Sequence, residues 1–115
     1  MKDVLMYKGK KIRSTIFEGQ VFFAIRDVVL AVKDTKDLKS YIKNLRKNHP
    51  EVKEVWREMV HTFYLQTTSG EQPIQCTNRK GLHIILKYIR SDQITAFKKW
   101  LPKAEKEKIR NTLMC

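Results

Sequence analysis

Apolar side chains in this sequence recur at two different spacings, and the spacing switches along the chain. Residues 12–17 (IRSTIF) and 20–24 (QVFFA) are β-prone runs flanking Glu18-Gly19, while the apolar positions of 38–48 recur three and four residues apart, as on one helix face. The order then repeats: a run of alternating residues over 61–68, another over 73–77, and helical spacing again from 79 onward. A period of two and a period of 3.6 bury different faces, so neither kind of segment can adopt the other conformation and keep its apolar side chains together. The chain is thereby confined to an α+β fold. It is predicted to hold two β-hairpins and about five short helices in a single compact domain, which 115 residues suit.

The turn and cap signals place the elements. An acidic residue and a glycine between β-prone runs mark Glu18-Gly19 as a two-residue hairpin turn. A shorter strand over Val4–Tyr7 precedes it and turns at Gly9. A helix over Ile25–Val32 follows, with Val28, Val29 and Val32 on one side. Thr35 or Asp37 can cap the next helix, Leu38–Asn48, whose stripe is Leu38, Tyr41, Ile42 and Leu45 and which stops before Pro50. Residues 51–59 add a helical segment with Val52, Val55, Trp56 and Met59 apolar. The second hairpin turns at Ser69-Gly70, with Ile74 and Cys76 on one face. Asn78 caps a helix across 79–90, with Leu82, Ile85, Leu86 and Ile89 inward. Ser91 caps another over 92–101, and Pro102 divides it from a last helix over 103–112.

Charge narrows the function. Lys and Arg number 24 against 12 Asp and Glu, a net charge of +12. So large an excess on a small body points to a polyanionic partner. It is spread over both halves of the chain, so no detachable basic tail carries it. No apolar run approaches the roughly 20 residues of a membrane span, and no membrane partner is expected. The amino-terminal MKDVLMYKGKK lacks the apolar stretch of a signal peptide. Two cysteines, Cys76 and Cys115, cannot build a disulfide framework, and His49, His61 and His83 are not spaced as zinc ligands. The expectation is a cytoplasmic protein with neither metal nor cofactor.

Three stretches carry a resemblance. Phe22 to Val29 form an aromatic strand leading into a "DVV" helix; Asn78, Gly81, Leu82, Ile84 and Ile85 form an "NxxGLxII" helix start; Phe97, Lys98, Trp100 and Leu101 form "FKxWL". In this order and spacing, over roughly residues 8–112, the chain resembles the Bro N-terminal domain family of baculovirus Bro proteins, phage antirepressors and the amino-terminal parts of proteins called DNA-damage-inducible. The resemblance implies a DNA-binding domain of viral, phage or prophage regulators and no enzymatic activity. Family proteins often carry a second domain. The stretch HPEVKEVWREMVH matches no motif of the family.

Three basic surfaces are candidates for contact with double-stranded DNA. Lys36, Lys39, Lys43, Arg46 and Lys47 lie on or beside one face of helix 38–48, where they can track phosphates. Arg79, Lys80, Lys87 and Arg90 lie with His83 on the polar side of helix 79–90; its start can face a phosphate, and its arginines can reach guanine edges. Lys8, Lys10, Lys11 and Arg13 make a basic ribbon of the first hairpin. Each has an ordinary alternative: a solvated helix face, pairing with Glu105 or Glu107, or a charged edge that blocks aggregation. Phe17, Phe22, Phe23, Phe63, Phe97 and Trp100 read as core, leaving Tyr64 and Tyr88 as stacking candidates for a single strand. Cys76 reads as a small core residue, and neither clustered carboxylates nor a nucleophile beside a base argue for catalysis. Beside a DNA-binding regulator stand two alternatives. One is an antirepressor gripping a repressor protein through an apolar surface around Trp56 and Met59. The other is a binder of single-stranded nucleic acid.

Overall fold

The computed structural model describes residues 4–113. Strands β1 (Val4–Tyr7), β2 (Lys10–Phe17) and β3 (Gln20–Ala24) form a meander. Helices α1 (Ile25–Val32), α2 (Leu38–Asn48) and α3 (Pro50–Glu58) follow, then the hairpin β4 (Val60–Thr67) and β5 (Gly70–Thr77), then α4 (Arg79–Leu86) and α5 (Ile94–Leu113). All five strands join one antiparallel sheet in the order β1-β2-β3-β5-β4. The α+β class expected from the apolar spacing is the one observed, with five helices among the described residues.

The turns follow from their residues. Glu18 and Gly19 both take positive φ, 50° and 76°, as do Lys8 and Gly9 at 47° and 81°. A pair of left-handed residues matches the right-handed twist of the flanking strands, and glycine at the second position adopts it without strain. The second hairpin turns one residue earlier than predicted. Thr67 pairs with Gly70, so Thr68 and Ser69 span the loop, and Gly70 takes φ 98° where the strand resumes. The Thr67 hydroxyl accepts the Ser69 amide at 3.1 Å, which tightens the loop ahead of the glycine.

The helices cover one face of the sheet. Leu5, Ile12, Val21 and Phe23 point into the main core, against Val28, Val29, Leu45, Val52, Leu82, Ile85, Phe97 and Leu101. On the other face, Phe22, Ala24, Leu65, Ile74 and Cys76 form a smaller cluster of strand residues alone. Cys76 is fully buried there, as its alternation predicts. Burial, with the nearby Asp27 charge second, pushes its thiol up to about 12, so it stays protonated and inert. Cys115 lies outside the described residues.

The last helix begins at Ile94 rather than at 92 behind a Ser91 cap, and two departures from the sequence reading are larger. Pro102 does not divide the last helix, because Phe97, Leu101, Ala104 and Lys108 are buried at spacings of four, three and four straight through it. An internal proline costs about 3 kcal/mol, and each fully buried leucine or phenylalanine returns about 1.5–3 kcal/mol. The other departure shortens α4, which ends at Leu86 rather than running to residue 90. Tyr88 and Ile89 donate to carbonyls only three residues back, at 3.2 Å each, so the chain leaves the helix through a tighter turn. Ile89 still reaches the core, and the Ser91 hydroxyl donates to the Val32 carbonyl, tying this exit to the end of α1.

Gly81 seats α4 on the sheet. A β-carbon there would lie 2.1 Å from the Thr77 hydroxyl oxygen, which is committed to the Met59 carbonyl. Alanine elsewhere in a helix gains roughly 1 kcal/mol over glycine. Here the clash reverses that sign. Gly81→Ala is expected to lower stability by about 1–3 kcal/mol, the usual cost of overpacking, measured as a shift in the denaturation midpoint.

Candidate nucleic-acid interface

Helix α2 is built to hold its cations outward. The Asp37 carboxylate accepts the Ser40 amide at 3.1 Å and caps the first turn. Hydrogen bonding to Ser40 keeps that carboxyl below the ordinary aspartate range. Leu38 and Leu45 are buried, and Tyr41 and Ile42 pack beside them. Lys36, Lys39, Lys43, Arg46 and Lys47 are all exposed, as the spacing predicts. Between Leu38 and Asn48 there are four cations and no carboxylate. Arg46 and Lys47 fall in the last turn, where positive charge complements the helix dipole. At 3.6 residues per turn, Lys39 and Arg46 lean to one flank and Lys43 and Lys47 crown the helix. The guanidinium of Arg46 lies 4.9 Å above the Trp56 ring, so α3 braces that flank.

The opposite flank of α2 borders a cleft of about 340 Å³. Asn44 and Asn48 line it from α2, with Lys33 from the end of α1 and Arg90 from the turn after α4. His49 and Tyr88 stack across its end with centroids 4.2 Å apart. Tertiary structure thus brings one residue of the second predicted surface, Arg90, beside the first. The sequence reading missed Lys33, Asn44 and Asn48. A lone lysine and two asparagines carry no periodic signal, and only the packing of residues 87–90 against α2 gives them a common cleft.

The second predicted surface is divided. Asn78 caps α4 as expected, accepting the Gly81 amide at 3.0 Å. Arg79 pairs with Glu105 of α5 at 3.2 Å, the alternative foreseen for it. Lys80 is exposed. Both line a groove of about 610 Å³ with His83 and Gln20. Burial lowers the His83 pKa, and the positive charges of Lys98 and Arg79 lower it further. Lys87 points elsewhere and pairs with Glu51 of α3 at 3.1 Å. Tyr88 also donates its hydroxyl to Glu51, and its ring stacks on His49. Because α4 stops at Leu86, Arg79 and Arg90 do not sit at two ends of one rod. The helical separation that the sequence implies for them does not apply.

The first hairpin is mostly occupied with structure. The Asp27 carboxylate receives Arg13 through its backbone amide at 2.9 Å, Nε at 2.8 Å and a terminal nitrogen at 2.8 Å. That hydrogen bonding holds the Arg13 guanidinium above its ordinary range. Lys10 donates to the Ala31 carbonyl at 3.3 Å, and Lys8 to Gln93 at 3.1 Å. Lys11 is exposed and has no ion pair among the described residues. Arg13 therefore ties β2 to α1.

The aromatic residues also split. Phe23 and Phe97 are fully buried, as predicted. Phe22 is buried and Phe63 packs against it in the smaller core on the sheet face away from the helices, where Phe17 and His61 complete a ring cluster. Phe17 is 38% exposed. Among the described residues, no group of three or more His, Cys, Asp or Glu could hold a metal ion, and no helix is long and apolar enough to cross a membrane. No family model, curated protein or solved structure matches the chain.

The Arg13–Asp27 link has a measurable consequence. Both side chains are largely buried, with 21% and 11% exposure. Hydrogen bonds to charged groups contribute about 1.5–3 kcal/mol. Asp27→Ala and Arg13→Ala are each expected to cost about that much in urea unfolding. Lys11→Ala is expected to stay within about 0.5 kcal/mol, the norm for exposed sites.

Proposed function

We propose that this chain is a DNA-binding regulatory domain that grips duplex DNA through the phosphate backbone, with α2 as its principal contact. One observation carries the reading. Lys36, Lys39, Lys43 and Lys47 are exposed and have no ion pair among the described residues, on or next to a helix whose nearest carboxylates, Asp34 and Asp37, precede its first turn, while Arg13, Arg79 and Lys87 are held by Asp27, Glu105 and Glu51. Unpaired cations keep their counterion atmosphere until a polyanion displaces it, and that release drives binding. Lys39 and Lys47 are about 12 Å apart along the axis at the helical rise. That length spans three to four phosphates of one strand at about 3.4 Å of axial rise each. Arg90 and Lys33 extend the positive charge across the cleft, where Asn44 and Asn48 are amides of the kind that bond adenine edges.

The resemblance to the Bro N-terminal family supports the regulatory part of the proposal: a phage, prophage or viral transcriptional regulator or antirepressor, acting without chemistry of its own. The surface around Trp56 is less available to a repressor protein than its sequence suggests. Its indole N–H donates to Gln75 at 3.1 Å and Arg46 covers its ring. Tyr88 has one ring face against His49 and its hydroxyl on Glu51.

Fluorescence anisotropy with a duplex at ~50 and ~200 mM salt is the test, since several phosphate contacts cost orders of magnitude over that range. Lys39→Ala with Lys43→Ala is expected to weaken binding to all sequences alike and to reduce the salt slope by about 2, one for each phosphate that the variant leaves without its lysine. Arg79→Ala is expected to have the smaller effect, because Glu105 already neutralises it. Tighter binding to a single strand of the same length, or an unchanged affinity of the double variant, would overturn the assignment.

A further inference from the structure

The two edges of the sheet are guarded very differently. At the β1 edge the strand has four residues among those described, and the Trp100 indole N–H donates to the Met6 carbonyl at 3.1 Å. Lys8, Lys10 and Lys11 follow directly. Short edge strands, lysines and covering side chains are the usual means by which proteins prevent edge-to-edge pairing. At the β4 edge none of these operates. β4 has eight residues, VHTFYLQT, with no Lys, Arg, Asp, Glu or Pro, and β5 is its sole strand partner among the described residues. In an antiparallel edge strand alternate residues direct both N–H and C=O outward, so half of β4 presents an unpaired ladder. His61, Thr62, Tyr64 and Gln66 are exposed, Tyr64 by 69%.

Charge identifies the occupant. The β4–β5 ribbon, residues 60–77, contains a single charged side chain, Glu71, in a chain where 31% of residues are charged. Two copies that each carry +12 repel one another across most approaches. A neutral strip is where like-charged molecules can meet closely. A heterologous acidic partner would instead be drawn to the lysines of α2. We infer that the chain self-associates by antiparallel pairing of β4 with β4 of a second copy, making one continuous ten-stranded sheet.

The pairing has a definite register. Directly opposed residues of an antiparallel ladder lie on the same face, so a two-fold axis must pass through a residue pair of identical number. Centring it on Tyr64 uses the full stretch 61–67 and sets Thr62 against Gln66 and Phe63 against Leu65 of the second copy. Tyr64 meets its own counterpart, a favourable aromatic cross-strand pair. The helices of both copies then lie on the same side of the sheet. This association is separate from DNA binding and needs no nucleic acid.

Sedimentation equilibrium of the DNA-free protein, from micromolar to millimolar concentration, tests it. The mass is expected to rise from one chain to two, and the dimer to tighten as salt is raised, because salt screens the repulsion between copies. DNA binding has the opposite salt dependence, so failure of one reading is distinguishable from failure of the other. Tyr64→Lys and Tyr64→Glu alter an exposed side chain, and circular dichroism checks that each folds. Each alone is expected to be monomeric, because like charges face one another at the axis. An equimolar mixture of the two is expected to recover the dimer. A wild type that stays monomeric at millimolar concentration in high salt, a dimer that survives in either variant, or no recovery in the mixture would overturn the inference.

Discussion

Everything in this molecule depends on the meeting of β3 with β5. Phe23 pairs with Thr77 and Ala24 with Cys76, joining a meander at one end of the chain to a hairpin that begins after three helices. The ladder is short, and the loop it closes spans more than fifty residues, so its hydrogen bonds alone cannot offset the closure entropy. Burial on both faces of the junction does. Phe23 sits fully enclosed beneath the helices, while Ala24 and Cys76 are fully enclosed on the opposite face. Thr77 then bonds the Met59 carbonyl and packs against Gly81, so one position fixes the start of β4, the end of β5 and the seat of α4.

Because the sheet draws the helices onto one face, the few carboxylates of the chain come within reach of particular cations. Asp27 takes Arg13, Glu105 takes Arg79 and Glu51 takes Lys87. These three pairs join separate elements: β2 to α1, α4 to α5 and the turn after α4 to α3. What is left over includes the lysines of α2, which reach solvent without an ion-pair partner among the described residues, and Lys99, Lys103, Lys106 and Arg110 of α5, which are exposed on a helix that also carries Glu105 and Glu107. The charge of α2 is distinguished by the absence of any carboxylate within the helix, and that feature rather than the total of +12 supports it as the proposed DNA contact. The β4–β5 ribbon is the complementary case, a surface nearly free of charge.

Much of this fold was legible in the sequence, since strands and helices are local and their apolar periods are hard to mistake. The stripe of Leu38, Ile42 and Leu45 announced α2, Asn78 announced the start of α4, and Glu18-Gly19 announced its turn. Errors came where a distant contact overrode a local preference. Pro102 reads as a break because its ring removes a hydrogen bond. The unbroken burial of Phe97, Leu101, Ala104 and Lys108 carries the helix through it. Residues 87–90 read as more helix because Ile89 keeps the phase. The bond from Ser91 to Val32 draws them into a turn.

For the candidate site, the sequence by itself determined which side chains are cationic and which face of α2 holds them, because both follow from residue type and a turn of about 100° per residue. It also determined that the 60–77 stretch holds a single charged side chain, Glu71. Only the tertiary structure decided which cations are already neutralised, since the partners of Arg13, Arg79 and Lys87 lie 14, 26 and 36 residues away in sequence. Ion pairing acts over a few ångströms of space, and no local pattern encodes which carboxylate arrives there. The same holds for the cleft between α2 and Arg90 and for the exposed edge of β4, which exist because of strand order and helix packing.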